Sequence, residues 1–253
     1  MITIKTAREL ETMALAGKLL AKVILEVSQN AKVGISLEAL DRLAYKLIQE
    51  AGATPAFLGY RPAGAERPYP KTICTSVNDV VVHGVPSKYI LRSGDLLSLD
   101  FGLRLDGLCA DAAVTVGIGS VSAETAKLIK VTHEALARGI AEMKAGKHLG
   151  DIGYAIERYV TRSGFKVVRG LTGHGIGREL HEEPPVYNFG KKGKGELLRE
   201  GMVLALEPMV SAGSPDIIQR EDEGYATADH SLSAHFEHTV AVTKDGPQIL
   251  TEL

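Results

Sequence analysis

Two stretches of the chain repeat one pattern: LRSGDLLSLDFG at residues 91–102 and LREGMVLALEPM at residues 198–209. In each, a short apolar run typical of a strand leads to a carboxylate, Asp100 in the first stretch and Glu207 in the second. The two carboxylates are as far apart as the two leucines that begin the stretches (207 − 100 = 107 and 198 − 91 = 107). This constant offset indicates a chain built of two related halves.

A second pair of carboxylates occurs in the same two halves. Asp111 begins DAAVTV and Glu237 begins EHTVAV, so each is followed by alternating β-branched residues. Side chains alternate between the faces of a strand, so a carboxylate in an apolar strand needs a polar partner. Four carboxylates that meet between two halves would repel one another and raise their own pKa values. Divalent cations remove that repulsion by taking the oxygens as ligands, and the pattern therefore predicts a metal centre.

The order of predicted elements is helices, strands, helices and strands. Apolar spacing predicts helices after Thr6, from near Ser36, and at about 122–144 and 149–162. Short β-type runs lie at residues 72–77, 80–82, 96–101, 110–116, 166–168, 202–206 and 236–242. Residues 56–71 predict an ordered loop, and GKKGKGE at 190–196 predicts a mobile polar loop. We expect one α+β domain over residues 1–253, with halves at roughly 72–145 and 165–245.

Composition and charge exclude several classes of protein. The net charge is −2, hydrophobic residues make up 45% of the chain, and no apolar run is long enough to cross a bilayer. We therefore expect neither a membrane anchor nor a specific nucleic-acid surface. Cys74 and Cys109 are too few for a disulfide framework, which indicates a reducing, cytoplasmic location. Charges throughout the first twenty residues argue against an export signal.

Three of the eight histidines have informative neighbours. His83 and His174 each precede a glycine and an aliphatic residue, once in each half. Glycines around His174 allow close backbone approach, and His181 precedes two glutamates, a setting suited to metal binding or proton transfer. His235 alternates with Glu237 along a predicted strand and could share a face with it, but we do not expect His235 to be a ligand. The sequence lacks H-E-x-x-H, G-x-S-x-G and phosphate-loop motifs.

Six ordered blocks resemble the signature of type I methionine aminopeptidases: VVHGVP, LSLDFG, DGLCAD, GHGIGRELHEEP, LALEPM and SAHFEHTV. The resemblance covers about residues 6–242, and the chain looks like the short, bacterial form without a zinc-finger extension. It implies the pita-bread α+β fold with internal pseudo-twofold symmetry. It also implies a hydrolase that removes the N-terminal methionine from nascent proteins and peptides with a small second residue.

The resemblance further implies a dinuclear metal centre that activates a water. Its five protein ligands would be Asp100, Asp111, His174, Glu207 and Glu237. Asp111 and Glu237 would bridge the two ions, and Glu207 would also shuttle the proton of the water. Mixed carboxylate and imidazole sites accept Co²⁺, Mn²⁺, Fe²⁺ or Zn²⁺, so the sequence leaves the identity of the metal open.

Substrate contacts are implied in the same way. His83 would lie beside the scissile amide, and His181 would contact the substrate carbonyl. Tyr60, Tyr69 and Cys74 would line the pocket for the methionine side chain, although simple packing is an equal expectation for Cys74.

Some residues depart from the pattern of the family. RPAGAERP at residues 61–68 is longer than the bacterial pattern, Leu180 stands where many members carry Phe, and Tyr225 lies roughly where some carry Trp. These differences concern the shape of the substrate pocket and leave the metal ligands unchanged.

Two alternatives share the fold. Proline-specific aminopeptidases and prolidases normally carry a sizeable additional N-terminal domain, and non-catalytic relatives that bind the ribosome usually lose ligands. The default oligomeric state is a monomer. Lys191, Lys192 and Lys194 could contact the ribosome, but a solvated loop is the simpler interpretation.

Overall fold

The computed structural model describes residues 2–61 and 66–252. Residues 62–65, the middle of the RPAGAERP segment, lie outside the described residues. The helices are α1 (Ala7–Asn30), α2 (Leu37–Glu50), α3 (Ala123–Ala141) and α4 (Leu149–Arg162). All of them lie where the apolar spacing predicts them. A capping box begins α1, since the Thr6 hydroxyl accepts from the Glu9 N–H and the Glu9 carboxylate accepts from the Thr6 N–H.

Short antiparallel strands make up the rest of the regular structure. They are β1 (Thr54–Pro55), β2 (Ile73–Val77), β3 (Val80–Val82), β4 (Leu96–Leu105), β5 (Leu108–Gly117), β6 (Lys166–Val167), β7 (Gly173–Gly175), β8 (Glu182–Val186), β9 (Val203–Leu206), β10 (Met209–Ser211), β11 (Ile217–Gln219), β12 (Tyr225–Thr227), β13 (Ser233–His235), β14 (His238–Thr243) and β15 (Gly246–Ile249). The seven predicted β-type runs are confirmed as β2, β3, β4, β5, β6, β9 and β14.

The first half is centred on the long hairpin of β4 and β5. Asp106 and Gly107 form its turn, both with left-handed backbone (φ 48° and 81°), which suits the two-residue turns that join twisted strands. On its other edge β4 pairs with β1 and β2. Fully buried residues of β4, among them Leu99 and Phe101, pack with the apolar faces of α1 and α2 in one core cluster.

The second half contains the five-stranded sheet β15-β14-β9-β7-β8. Its core unites side chains of α3 and α4 with those of β9 and β14, including Leu206 and Val240, neither of which is exposed. The layers are the same as in the first half, with a pair of helices packed against an antiparallel sheet.

The halves join where β5 meets the start of β14. Ala113 and Glu237 exchange two backbone hydrogen bonds, of 3.3 and 2.9 Å. The Thr239 hydroxyl donates to the Asp111 carbonyl at 2.7 Å and accepts from the Asp111 N–H at 2.9 Å. Residues 111 and 113 of the first half correspond to residues 237 and 239 of the second (237 − 111 = 126 and 239 − 113 = 126). Each residue contacts the counterpart of the other, as a local twofold axis between two antiparallel segments requires.

The GKKGKGE loop, which we expected to be mobile, is instead held against α4. The Gly150 N–H donates to the Lys194 carbonyl at 2.9 Å, and the Gly193 N–H donates to Asp151 Oδ1 at 3.0 Å. A Cβ atom at Gly150 would lie 2.3 Å from the carbonyl oxygen of Lys191, so this contact requires glycine. The composition of the loop gave no sign of this, because its partners on α4 lie about forty residues earlier in the sequence. Among the described residues, no helix has the length and apolarity needed to cross a bilayer.

Candidate metal centre

One cavity of about 740 Å³ lies where the two halves meet. All ten residues predicted for the site line it: Tyr60, Tyr69, Cys74, His83, Asp100, Asp111, His174, His181, Glu207 and Glu237. The structure therefore brings together residues that the sequence spreads over nearly 180 positions (237 − 60 = 177).

The strand registers position the four carboxylates. In the first hairpin Asp111 pairs with Gly102, two residues along β4 from Asp100, so both carboxylates lie on the same face of the sheet. In the second, the pairs Leu206–His238 and Met209–His235 place Glu207 opposite Glu237. The backbone contact between β5 and Glu237 then brings the two carboxylate pairs together.

His174 occupies the middle of β7 between two glycines. Added Cβ atoms would lie 2.3 Å from the Ala205 carbonyl oxygen at Gly173 and 2.2 Å from that of Glu183 at Gly175, so close strand packing requires both glycines. The imidazole Nδ1 lies 2.9 Å from the Gly175 carbonyl oxygen, which an N–H there can donate to. Its Nε2 then carries the free lone pair that a metal ligand needs.

The ligand atoms converge closely. His174 Nε2 lies 3.7 Å from Asp111 Oδ2 and 3.7 Å from Glu207 Oε1. Asp111, His174 and Glu237 each offer a ligand atom, and these atoms all lie within 4.8 Å of one another. Asp100 and Glu207 line the same cavity wall and complete the predicted set of five.

The electrostatics of this cluster fit a divalent cation. Burial raises the pKa of Asp111, Glu207 and Glu237 well above the usual range, and the neighbouring carboxylates raise it further. Asp111 Oδ1 and Glu237 Oε1 are buried and have no hydrogen-bond partner among the described residues, and the same holds for Asp100 Oδ1. Unpartnered anionic oxygens beside an imidazole lone pair are a suitable donor set for divalent ions, whose charge relieves the repulsion.

His83 and His181 line the accessible part of the cavity. His83 has a left-handed backbone (φ 60°), which is strained for a residue other than glycine, and its ring contacts Tyr225 at 5.9 Å between centroids. The ring of His181 lies 4.3 Å from that of His174, and its Nδ1 lies 2.6 Å from the Tyr60 hydroxyl. Loss of solvation lowers the pKa of His83, and it lowers the pKa of His181 to about 3, so both rings are neutral near pH 7.

An apolar wall lies beside the carboxylates. Tyr69, Cys74 and Leu180 belong to one core cluster with Phe57, and all four line the cavity. The Tyr69 hydroxyl donates to the carbonyls of Ile73 and Gly84, so its ring position is well defined. The cavity can therefore hold an aliphatic side chain of moderate length.

Three features of the site escaped the sequence analysis. Lys5 forms a buried ion pair of 2.7 Å with Glu182, the residue after His181, and the separation of 177 positions leaves no local signal. His235, which we did not include among the site residues, is 1% exposed, and its Nε2 lies 3.6 Å from Glu207 Oε2. Its alternation with Glu237 was the available signal. Residues 221–223, all acidic, line the cavity from a loop between β11 and β12.

Comparisons with known proteins agree with this geometry. The profile of metallopeptidase family M24 matches residues 11–244. A methionine aminopeptidase of Clostridium perfringens is 44% identical over 253 residues, which are 99% of each chain. The crystal structure of a methionine aminopeptidase from Thermotoga maritima is similar at a TM-score of 0.96, with 41% identity and full coverage of both chains.

A more distant structure separates fold from activity. The prolidase of Pyrococcus furiosus superposes with a TM-score of 0.77 at 21% identity, and the match covers 99% of this chain but 65% of that one. At this identity the likeness shows the fold alone. The predicted pita-bread α+β fold is thereby confirmed.

Proposed function

This chain belongs to metallopeptidase family M24, and from that premise we propose that it hydrolyses the peptide bond after an N-terminal methionine. It is a metal-dependent aminopeptidase. The observation that carries the proposal is the convergence of three carboxylates and one imidazole beside an apolar cavity wall. These groups belong to Asp111, Glu207, Glu237 and His174. A non-catalytic module would have no use for buried carboxylates that repel one another.

The proposed cofactor is a pair of divalent ions, Co²⁺, Mn²⁺, Fe²⁺ or Zn²⁺. Asp100, Asp111, His174, Glu207 and Glu237 would hold them, with Asp111 and Glu237 shared between the two. When bound, the ions supply the Lewis acidity that lowers the pKa of water from about 15.7 toward roughly 7 and polarises the scissile carbonyl.

The side chains around the ions have distinct proposed tasks. Glu207 takes the proton from the attacking water and delivers it to the leaving amine, since its carboxylate lies in the cavity lining beside the other proposed ligands. His181 donates a hydrogen bond to the carbonyl oxygen as negative charge develops there. His83, held in a strained backbone conformation at the end of β3, lies beside the scissile amide.

Specificity would come from the two ends of the cavity. Tyr60, Tyr69 and Cys74 line the apolar wall, which accepts the methionine side chain. We also propose that the second substrate residue is small, as the resemblance to methionine aminopeptidases implies.

The experiment measures methionine release from Met-Ala-Ser by chelator-stripped protein, with each of the four ions added in turn. We expect release only with metal, and two ions per chain by elemental analysis. Acetyl-Met-Ala-Ser should remain intact, because the reaction needs a free amine. If no methionine is released with any of the four ions, the proposal is overturned. Cleavage of Ala-Pro under the same conditions would favour the proline-specific alternative.

We also propose a cytoplasmic monomer that meets its substrates as they leave the ribosome. Two unpaired, buried cysteines fit a reducing compartment. The loop carrying Lys191, Lys192 and Lys194 exposes three cations and is held rigidly on α4. Cosedimentation with ribosomes at increasing salt, before and after replacement of these lysines by glutamine, tests the contact.

A further inference from the structure

We propose that Tyr60 is a positioning residue for His181: its hydroxyl sets the orientation and the tautomer of the His181 ring, so that the Nε2–H faces the substrate carbonyl. This inference rests on the proposed function, in which His181 is the donor to that carbonyl. It adds a second task to Tyr60, whose expected role as part of the pocket wall needs its ring but not its hydroxyl.

The contact itself is specific. The Tyr60 hydroxyl lies 2.6 Å from His181 Nδ1, and the ring centroids are 5.1 Å apart with a tilt of 51°. A neutral imidazole has one donor nitrogen and one acceptor nitrogen. If the phenol donates to Nδ1, the ring proton is on Nε2. The opposite tautomer would turn a lone pair toward the carbonyl oxygen, where a donor is needed.

The contacts of the two residues that flank His181 leave the orientation of its ring undetermined. Leu180 is buried in the apolar cluster, and Glu182 is tied to Lys5, so the chain is held on both sides. Neither contact fixes rotation of the imidazole, and half a turn exchanges each nitrogen with a carbon. The bond to Tyr60 distinguishes the two orientations.

Tyr60 is itself held firmly enough for this task. Its N–H donates to the Phe57 carbonyl at 2.9 Å, and its carbonyl accepts from the Tyr69 N–H at 2.8 Å. The Gly59 N–H donates to the Tyr69 carbonyl at 2.8 Å, which joins the two ends of the segment 60–69. Burial also raises the pKa of Tyr60, so the phenol keeps its proton. The donor is therefore organised before the substrate arrives.

The test compares Tyr60→Phe with Tyr69→Phe. Both variants lose a hydroxyl that lines the same cavity, but that of Tyr69 donates to two backbone carbonyls. Nitrogen-15 NMR of histidine-labelled, chelator-stripped protein reports the tautomer, and His181→Gln identifies the resonance. We expect the proton on Nε2 in the wild type, a shift toward Nδ1 in Tyr60→Phe, and no change of tautomer in Tyr69→Phe.

Kinetics give an independent readout. Tyr60→Phe should lower kcat about 10- to 100-fold, the usual effect of losing a partner that orients an active imidazole, with little change in KM. A wild-type proton on Nδ1, an unchanged tautomer in Tyr60→Phe, or an effect on KM alone would each overturn the proposal. The NMR measurement needs neither metal nor substrate, so it remains readable even if the wild type releases no methionine.

Discussion

The two hairpins that carry the carboxylates share a frame but differ in what joins their strands. In the first, Asp106 and Gly107 alone connect β4 to β5, and the carboxylates are eleven residues apart (111 − 100 = 11). In the second, β10 to β13 lie between β9 and β14, and the carboxylates are thirty residues apart (237 − 207 = 30). The insertion returns to the first half, where Tyr225 on β12 pairs with Val82 and contacts His83.

This difference separates two tasks. The parts common to both hairpins hold carboxylates, and the part found in only one reaches the substrate side of the cavity, with Met209 and the acidic residues 221–223 in its lining. Ligand geometry therefore depends on the duplicated frame, whereas selectivity can vary with the insertion. We expect substitutions at equivalent positions of the two hairpins to change turnover and metal content equally. Substitutions at residues without a counterpart in the other half should have effects that differ from these.

The largest effect should come from the carboxylates nearest the twofold axis. Asp111→Asn and Glu237→Gln would each remove a ligand that we propose the two ions share. Turnover should therefore fall to background, well beyond the ~10–100-fold cost of losing an outer partner of a ligand. Elemental analysis should show the same loss of bound metal in both variants. Near-normal turnover in either would refute the two-ion centre, and unequal metal loss would refute the equivalence of the halves.

His181 has no counterpart in the first half and should behave differently. His181→Ala should lower kcat on the order of a hundredfold, since it removes one donor to the developing oxyanion. Metal content should stay normal, because His181 is not a ligand. His230→Ala, at an exposed hydrogen bond with Asp79, is the matched control and should keep full turnover. Metal loss in His181→Ala would mean that its role is wrongly assigned.

The second half also depends on the N-terminal segment. Burial alone would raise the pKa of Glu182, but hydrogen bonds from Lys5 and Thr3 outweigh it and lower that pKa. Lys5→Met removes the cationic partner of this carboxylate and should reduce the free energy of unfolding by ~3 kcal/mol.

Hydrogen exchange locates that effect. In Lys5→Met, amides of β7 and β8 should lose protection before those of β4 and β5. The double variant Lys5→Met/Glu182→Gln should recover much of the loss, because no charge then remains buried. Uniform loss of protection across both hairpins would contradict selective stabilisation of the second half by the Lys5–Glu182 ion pair.

The smallest effect should come from a contact at the local twofold axis that differs between the two halves. Ala113 and Glu237 bond through backbone atoms, whereas Asp111 bonds to the hydroxyl of Thr239. Thr239→Val leaves a buried N–H and C=O of Asp111 without a partner, which should cost ~1–3 kcal/mol in chemical denaturation of the chelator-stripped protein. Thr12→Val, on the partly exposed side of α1, should change stability by less than ~0.5 kcal/mol. Equal changes in the free energy of unfolding for Thr239→Val and Thr12→Val would mean that the Thr239 hydroxyl contributes nothing to stability.

The parts of the fold that could be predicted have local signals. Apolar spacing and caps located the helices, and the repeat located β4, β9 and their carboxylates. The strands β7 (GHG) and β8 (EEPPV) escaped because glycine and proline are poor strand formers. The strand β7 forms because β9 offers it an edge, and β8 pairs in turn with the free edge of β7. Contacts such as Lys5–Glu182 and Tyr60–His181 join residues far apart in sequence, so no local pattern could reveal them.

The contact between Ala113 and Glu237 can form only after both hairpins have been synthesised. Synthesis proceeds from the N-terminus, so the first hairpin is complete long before its counterpart, 126 residues later (237 − 111 = 126). At about 5–20 residues per second, that interval lasts roughly 6–25 s. Throughout this time Asp100 and Asp111 lack Glu237, and for its first half they lack His174 as well (174 − 111 = 63). The complete set of proposed ligands, and with it the site for the proposed ions, can therefore form only late in the synthesis of the chain.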